Sequence, residues 1–116
     1  MPRVHSTNNL LDGVKVTGAG TALSYKNTDR STAQVVIAST GVGTTTVNIE
    51  GTVAATSTGT YSVIDTVTYT TTTAGTSKVE DVAITSPYTF VRANVAAIST
   101  TDTAVTVNIV TQGDTY

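Results

Sequence analysis

The feature that most constrains this chain is a two-residue periodicity of apolar side chains, repeated along its length without a stretch of helical period. Near the C-terminus, for example, Val105, Val107 and Ile109 alternate with Thr106 and Asn108. Successive side chains of a β-strand point to opposite faces, so this pattern predicts a half-buried strand. Threonine supplies about a quarter of the residues, and its β-branched side chain favours strands over helices. We therefore expect an all-β protein.

The β-rich runs are short and regularly spaced. About eight of them follow one another at intervals of about ten residues, with turn-forming residues between them. The run AQVVIAS (residues 33–39) is apolar at its centre and predicts a buried strand, whereas residues 44–53 alternate and predict a half-buried antiparallel strand. A bulge or turn is expected at Asp65-Thr66, which interrupts residues 61–69. The spacing predicts an antiparallel two-sheet sandwich or a jelly roll, and periodicity does not choose between these topologies.

The last two runs, residues 88–98 and 103–110, flank the small polar sequence STTD. Because such residues favour turns, the local interpretation is an antiparallel hairpin. Both faces of the first run carry apolar groups, so we expect a central strand or one covered on its outer side. Arg92 lies within this run, and its charge needs a partner such as Glu50 or Asp81, within the chain or across a subunit boundary. The alternative for Arg92 is a contact with a ligand.

The chain has 116 residues, enough for one domain with its own core, and no cysteine for a disulfide. Residues 1–12 lack periodicity until Leu10 and Leu11, and we interpret them as an N-terminal arm before a single β-sandwich domain of residues 13–116. Two alternatives stay open for the arm. It is a frayed terminus, or it lies on a neighbouring subunit with the two leucines as apolar anchors.

Charged residues make up only 12% of the chain, against about 25% in typical soluble domains. With a surface of Thr, Ser and Asn in place of Lys and Glu, either the protein is intrinsically very soluble or much of that surface is covered by partner proteins, and we favour the second alternative. The six cations are scattered and the net charge is −2, so the sequence offers no basic stripe for nucleic acid. Because the N-terminal residues form no apolar run, we expect neither a signal peptide nor a membrane-spanning helix. The missing cysteine fits folding in a reducing cytosol.

Residues suited to catalysis or metal binding are sparse. The single histidine, His5, lies in the arm, where no third group holds its ring. Glu80 and Asp81 are adjacent in a predicted strand and point to opposite faces, so they do not share a proton or an ion. We therefore predict no enzyme activity, no metal and no cofactor, and a function exerted through protein interfaces. The residues expected at those interfaces are Leu10, Leu11, Tyr88, Phe90 and Arg92.

Four segments, in this order, resemble small structural proteins of tailed bacteriophages: VNIEGT (residues 47–52), GTYSV (59–63), SPYTFVRANVAAIS (86–99) and TAVTVNIV (103–110). In that family a strand ending in an Ile-Glu-Gly step precedes a Gly-x-aromatic turn. An aromatic-x-Phe-Val-Arg-x-Asn strand then precedes a last apolar strand. The similarity covers residues 33–110.

The resemblance implies a virion component, made in the host cytoplasm, that serves as a head decoration or cement protein. The partners it implies are the major capsid protein or other virion proteins and further copies of the chain, in a dimer or trimer, with no nucleic acid and no membrane. The alternative is a tail- or fibre-associated module, an adhesin or glycan-binding protein. Against a glycan platform, the chain has no tryptophan and its five tyrosines are dispersed.

Overall fold

The computed structural model describes residues 3–24, 30–39, 43–71, 76–85, 87–98 and 103–114. These residues form nine β-strands in two antiparallel sheets. They contain no helix, and so none with the length and apolar character of a membrane span. The strands are β1 (Arg3–Val14), β2 (Gly18–Ala19), β3 (Leu23–Ser24), β4 (Arg30–Ser39), β5 (Gly43–Thr52), β6 (Ser62–Thr71), β7 (Thr76–Ile84), β8 (Phe90–Ile98) and β9 (Thr103–Asp114).

The strand order identifies a jelly roll. The first sheet has the order β1-β9-β4-β7, and the second has β2-β8-β5-β6, with β3 also paired to β8. The chain pairs from its ends inward, β1 with β9, β2 and β3 with β8, β4 with β7, and β5 with β6. The chain thus folds back on itself as one long hairpin of paired strands. The hairpin is rolled up, so that β4 also pairs with β9 and β5 also pairs with β8. The prediction of an antiparallel two-sheet sandwich or jelly roll is confirmed.

The predicted final hairpin is wrong. β8 lies in the second sheet beside β5, whereas β9 lies in the first sheet between β1 and β4. Among the described strands, only β5 and β6 pair with their neighbour in the chain. Placed in opposite sheets, β8 and β9 direct their apolar rows into the core from two sides, and each has strands on both of its edges. β8 is therefore an inner strand of its sheet, as its two apolar faces predicted.

The core lies between the sheets and is built from the inward positions of alternating strands. β4 corrects one expectation, because Gln34 and Ala38 are exposed and Val36 is half-buried, so this strand buries only one face. Alternation is confirmed for β5 and β9. The fully buried apolar side chains of the four inner strands are Ala33, Val35, Ile37, Val47, Ile49, Val91, Ala93, Val95, Val105, Val107 and Ile109.

A bulge in β1 places two adjacent leucines in the core. The register with β9 passes from Asn9 to Leu11 in one step, which leaves Leu10 without an opposite residue. In a regular strand Leu10 and Leu11 would face opposite sides, but after the bulge both are only 5% exposed. The expected arm is thus an edge strand: β1 pairs with β9 from Arg3 onward, so the boundary expected after residue 12 falls inside β1.

Two further bulges lie in the second sheet. The register between β5 and β6 leaves Ile64 unpaired, directly beside Asp65, where the sequence predicted a bulge or a turn. The register between β5 and β8 leaves Ala96 unpaired, and the following Ile98 packs against the core. Each bulge shifts the alternation of its strand by one residue and so changes which side chains face outward.

Candidate functional site: the outer faces of the two sheets

The residues expected at protein interfaces do not form one patch. Leu10 and Leu11 pack in the core of their own chain. Tyr88 also packs against the core, and its ring lies so close to Gly51 that a methyl group there would come within 2.5 Å of it. The structure therefore gives these three side chains partners inside the sandwich.

Phe90 and Arg92 do lie together, on the outer face of the second sheet. They alternate in β8 with the buried Val91 and Ala93, and both are half-buried. Arg92 stands directly opposite Glu50 of β5. This cross-strand position makes Glu50 the partner of Arg92, one of the two that the sequence suggested.

Four side chains from β5, β8 and the segment before β6 form a compact polar group, here called the Glu50 cluster: Glu50, Tyr61, Arg92 and Asn94. Arg92 Nε donates to Glu50 Oε1 at 2.7 Å, and Asn94 Nδ2 donates to Glu50 Oε2 at 3.1 Å. The guanidinium carbon of Arg92 lies 3.8 Å from the centre of the Tyr61 ring, a cation–π distance. Glu50 is only 6% exposed, so its charge is stabilised by these neighbours more than by water.

The Glu50 cluster is tied to the loop that follows β5. Tyr61 Oη donates to the carbonyl oxygen of Ser57 at 3.0 Å. Thr89 Oγ1 donates to the carbonyl oxygens of Thr52 and Ala54, at 2.9 and 2.6 Å. Within the described part of the chain, no buried side-chain nitrogen or oxygen lacks a hydrogen-bond partner. The cluster is internally satisfied, which is the chemistry of a structural ion pair.

The outer face of the first sheet is different, and is here called the neutral face. On β4, β7 and β9, Asp81 is the single charged side chain described on this face, and Gln34 Nε2 donates to its Oδ1 at 3.3 Å. The exposed Asp12 of β1 lies beside the face, next to Gly13, whose N–H donates to Thr106 Oγ1 at 3.1 Å. Val79 is 58% exposed and stands opposite Val36, while Val110 is 42% exposed. Its described side chains are Thr7, Asn9, Thr32, Gln34, Val36, Ala38, Ser77, Val79, Asp81, Ala83, Ala104, Thr106, Asn108 and Val110.

Asparagine side chains form lateral hydrogen bonds on both faces. On the neutral face, Asn9 Nδ2 donates to Asn108 Oδ1 at 2.9 Å. On the second sheet, Asn48 stands opposite Asn94, but its Oδ1 accepts from Thr66 Oγ1 at 2.9 Å, while Asn94 belongs to the Glu50 cluster. The partner of each asparagine depends on strand neighbours that the sequence does not reveal.

The described residues offer no group of three metal-ligating side chains. Glu80 and Asp81 point away from each other, as expected for neighbours in a strand. A Glu80 oxygen lies 4.0 Å from Lys78 Nζ, whereas Asp81 lies on the neutral face. The side chain of His5 lies outside the described part of the structure.

The fold and its surfaces define the class of protein: a jelly-roll β-sandwich with two outer sheet faces, the neutral face and one carrying a satisfied ion pair. No family model and no curated protein matches the chain. Among solved structures, the chain is similar to the SPBc2 prophage-derived protein YomS, with a TM-score of 0.64 and 10% identity, covering 97% of this chain and 96% of that one.

A second solved structure with a similar fold belongs to Bacillus endospore appendages, which form a novel family of disulfide-linked pili. Its TM-score is 0.54 at 14% identity, and the match covers 99% of this chain and 87% of that one. The Tobacco streak virus coat protein matches with a TM-score of only 0.42, which is too low to indicate a common fold. At these identities the likeness shows a common fold.

Proposed function

We propose that this protein is a non-enzymatic structural component of a phage virion. In this role it is a decoration or cement protein that binds the major capsid protein or other virion proteins and stabilises the head lattice. The observation that carries the proposal is the neutral face. Jelly rolls are common among viral capsid domains, and the fold shared with a prophage-derived protein supports placement in a phage particle.

The size of the neutral face suits a protein interface. Four strands of about ten residues, at the usual spacings of about 4.8 and 3.3 Å, span about 600 Å² of flat surface. A standard interface buries about 800 Å² on each partner, so the face supplies most of one. When many copies bind one lattice, their repetition makes individually weak contacts hard to reverse.

The chemistry of the neutral face also suits a protein interface. Interface cores are depleted in charge, and on β4, β7 and β9 a single carboxylate, that of Asp81, is described on this face. Val36, Val79 and Val110 supply apolar contact, and the surrounding hydroxyls and amides supply hydrogen bonds. Docking would have to remove water from few charges, Asp81 among them, and desolvation of charge is the usual obstacle to docking a polar surface.

The described tyrosines give little support to the alternative of a glycan-binding tail or fibre module. Arg92 covers one side of the Tyr61 ring, and Tyr88 lies against Gly51. Tyr69 packs against the core. These rings are engaged within the chain, whereas a sugar platform needs an open aromatic surface.

The test is binding to heads of the phage that encodes the chain. We expect co-sedimentation with intact or emptied heads at micromolar protein, and a higher melting temperature of the decorated heads. Val79→Asp places a carboxylate on the neutral face, opposite Val36, where docking would bury it, so we expect at least a tenfold loss of affinity. The stability of the free chain should stay within about 0.5 kcal/mol of the original, because Val79 is exposed.

The matched control is Val16→Asp. Val16 is 67% exposed and lies between β1 and β2, outside both sheets, so the same charge there should leave binding unchanged. No binding of the original chain at micromolar concentration, or equal losses from both variants, would refute the proposal. Images that place the chain on the tail alone would favour the tail or fibre module.

A further inference from the structure

The two sheets have four free edges, and edges of this kind are templates for pairing with other strands. β1 and β7 form the edges of the first sheet, while β6 and the pair β2 and β3 form those of the second. Natural sheets protect such edges with short strands, charged side chains or bulges. The four edges differ in how many of these protections they have.

Three of the edges are protected. β7 carries Lys78, Glu80 and Asp81 within nine residues. β6 has a bulge at Ile64, and the carbonyl oxygen of Thr68 accepts a hydrogen bond from Lys78 Nζ at 3.4 Å. β2 and β3 are only two residues long each and are separated along the chain. A long foreign strand therefore finds no continuous, uncharged edge at any of these places.

The first half of β1 has only one of these protections, the charge of Arg3 at its outer end. Its backbone follows β9 without a register shift from Arg3, opposite Asp114, to Asn9, opposite Asn108. These seven residues, RVHSTNN, include no proline, lysine or carboxylate. The bulges of β1 come only afterwards. The segment is thus a regular edge whose outer backbone groups have no strand beside them in the described part of the structure.

We propose that this edge pairs with the same edge of a second copy of the chain. Pairing needs a second open edge, and the other edges of a second copy are protected, so β1 is the partner that remains. Identical edges meet around a two-fold axis, which gives antiparallel strands and a closed dimer. With the axis at Ser6, Arg3 of one copy faces Asn9 of the other, and no like charges meet. The two first sheets then form one continuous sheet of eight strands.

This inference concerns the contact of the chain with itself and stands independently of binding to a phage head. Seven paired residues make a small interface, and interfaces below about 1,200 Å² belong to weak contacts. We therefore expect a reversible dimer with a dissociation constant on the order of micromolar. On a lattice, such dimers would present two neutral faces side by side.

The first test uses a single introduced thiol, because the chain has no cysteine. Facing residues of an antiparallel pair have Cα atoms about 4.5–5.5 Å apart, within the range of a disulfide. Ser6→Cys should therefore yield a covalent dimer under mild oxidation. Ser77→Cys, which places a thiol on the protected edge strand β7, is the matched control and should stay mostly monomeric. Equal yields from the two variants would overturn the proposal.

The second test is a charge exchange on the two-fold axis. Ser6→Lys and Ser6→Glu each bring like charges together, so each variant alone should dimerise at least tenfold more weakly than the original chain. A mixture of the two should form a mixed dimer, measured by sedimentation equilibrium, with circular dichroism confirming that both fold. An original chain that stays monomeric up to about 1 mM, or a mixture that dimerises no better than its components, would refute the two-fold pairing.

Discussion

The outer faces of the two sheets are built from similar residues and do different things. Both are rich in Thr and Asn, and both carry at least one carboxylate. On the second sheet, the carboxylate of Glu50 is nearly buried and bonded to Arg92 and Asn94. On the first sheet, the carboxylate of Asp81 is exposed and bonded only to an amide. On the second sheet the strongest polar interactions are made within the chain. On the first sheet the polar side chains stay accessible to a partner.

The difference shows that a low share of charged residues does not by itself mark an interface. The charges of the second sheet are satisfied by neighbouring strands, so substituting them should change the stability of the fold. The side chains of the neutral face contribute little to the stability of the free chain, so substitutions there should change binding to a partner and not stability. Three experiments test this contrast, from the largest expected effect to the smallest.

Arg92→Ala should have the largest effect. It leaves the Glu50 carboxylate buried without its ion partner, and breaking a buried pair in this way costs about 3–5 kcal/mol. Because the Arg92 side chain is 29% exposed, we expect about 3 kcal/mol, measured by urea unfolding. The double variant Glu50→Gln/Arg92→Met removes both charges and should recover most of the loss. If Arg92→Ala lowered the unfolding free energy by less than about 1 kcal/mol, the ion pair would contribute no more than an exposed one, and the two faces would not differ in their contribution to stability.

Gly51→Ala should have the next largest effect. A methyl group at this position would overlap the Tyr88 ring, and overpacking of a core costs about 1–3 kcal/mol. Thermal unfolding of the variant should show this loss, and the loss should shrink in a Tyr88→Leu background, where the ring is absent. If Gly51→Ala were neutral, Tyr88 would be free to turn outward, and its expected role at an interface would regain support.

The smallest effect compares two asparagines, one on each face. Asn94→Ala removes a hydrogen bond to a nearly buried carboxylate, worth about 1.5 kcal/mol. Asn108→Ala removes an exposed amide contact, and Asn9 keeps its bond to the carbonyl oxygen of Leu11, so we expect less than about 0.5 kcal/mol. Both values can be measured by chemical unfolding. Equal losses of unfolding free energy in the two variants would mean that side chains on both faces contribute equally to the stability of the fold.

Much of the fold followed from local sequence. The alternation in β5 and β9 was predicted from residue types and spacing. The bulge beside Asp65 and the partner Glu50 of Arg92 were each one of two alternatives that the sequence left open. The final hairpin was predicted wrongly because two β-rich runs around STTD satisfy the local rules for a hairpin. The same runs also satisfy the rules for two strands in opposite sheets, and the pairing with β1 and β5 decided between them.

The candidate surfaces were harder to predict than the fold. In one of the two alternatives for the arm, Leu10 and Leu11 were anchors on a neighbouring subunit. Regular alternation cannot bury two adjacent side chains on one face, and the bulge in β1 does so. The neutral face combines residues from β1, β9, β4 and β7, which are far apart in the chain. Its composition is visible in the sequence, but its continuity appears only once these strands lie side by side.

The sequence by itself determined the β-strands, the side of most strands that is buried and the shortage of charge, because these depend on side-chain type and a period of two residues. The tertiary structure alone decided which strands are neighbours, where the register shifts and which face stays neutral. Backbone hydrogen bonds are chemically alike in every strand, so the choice of partner depends on how the whole chain closes around its core.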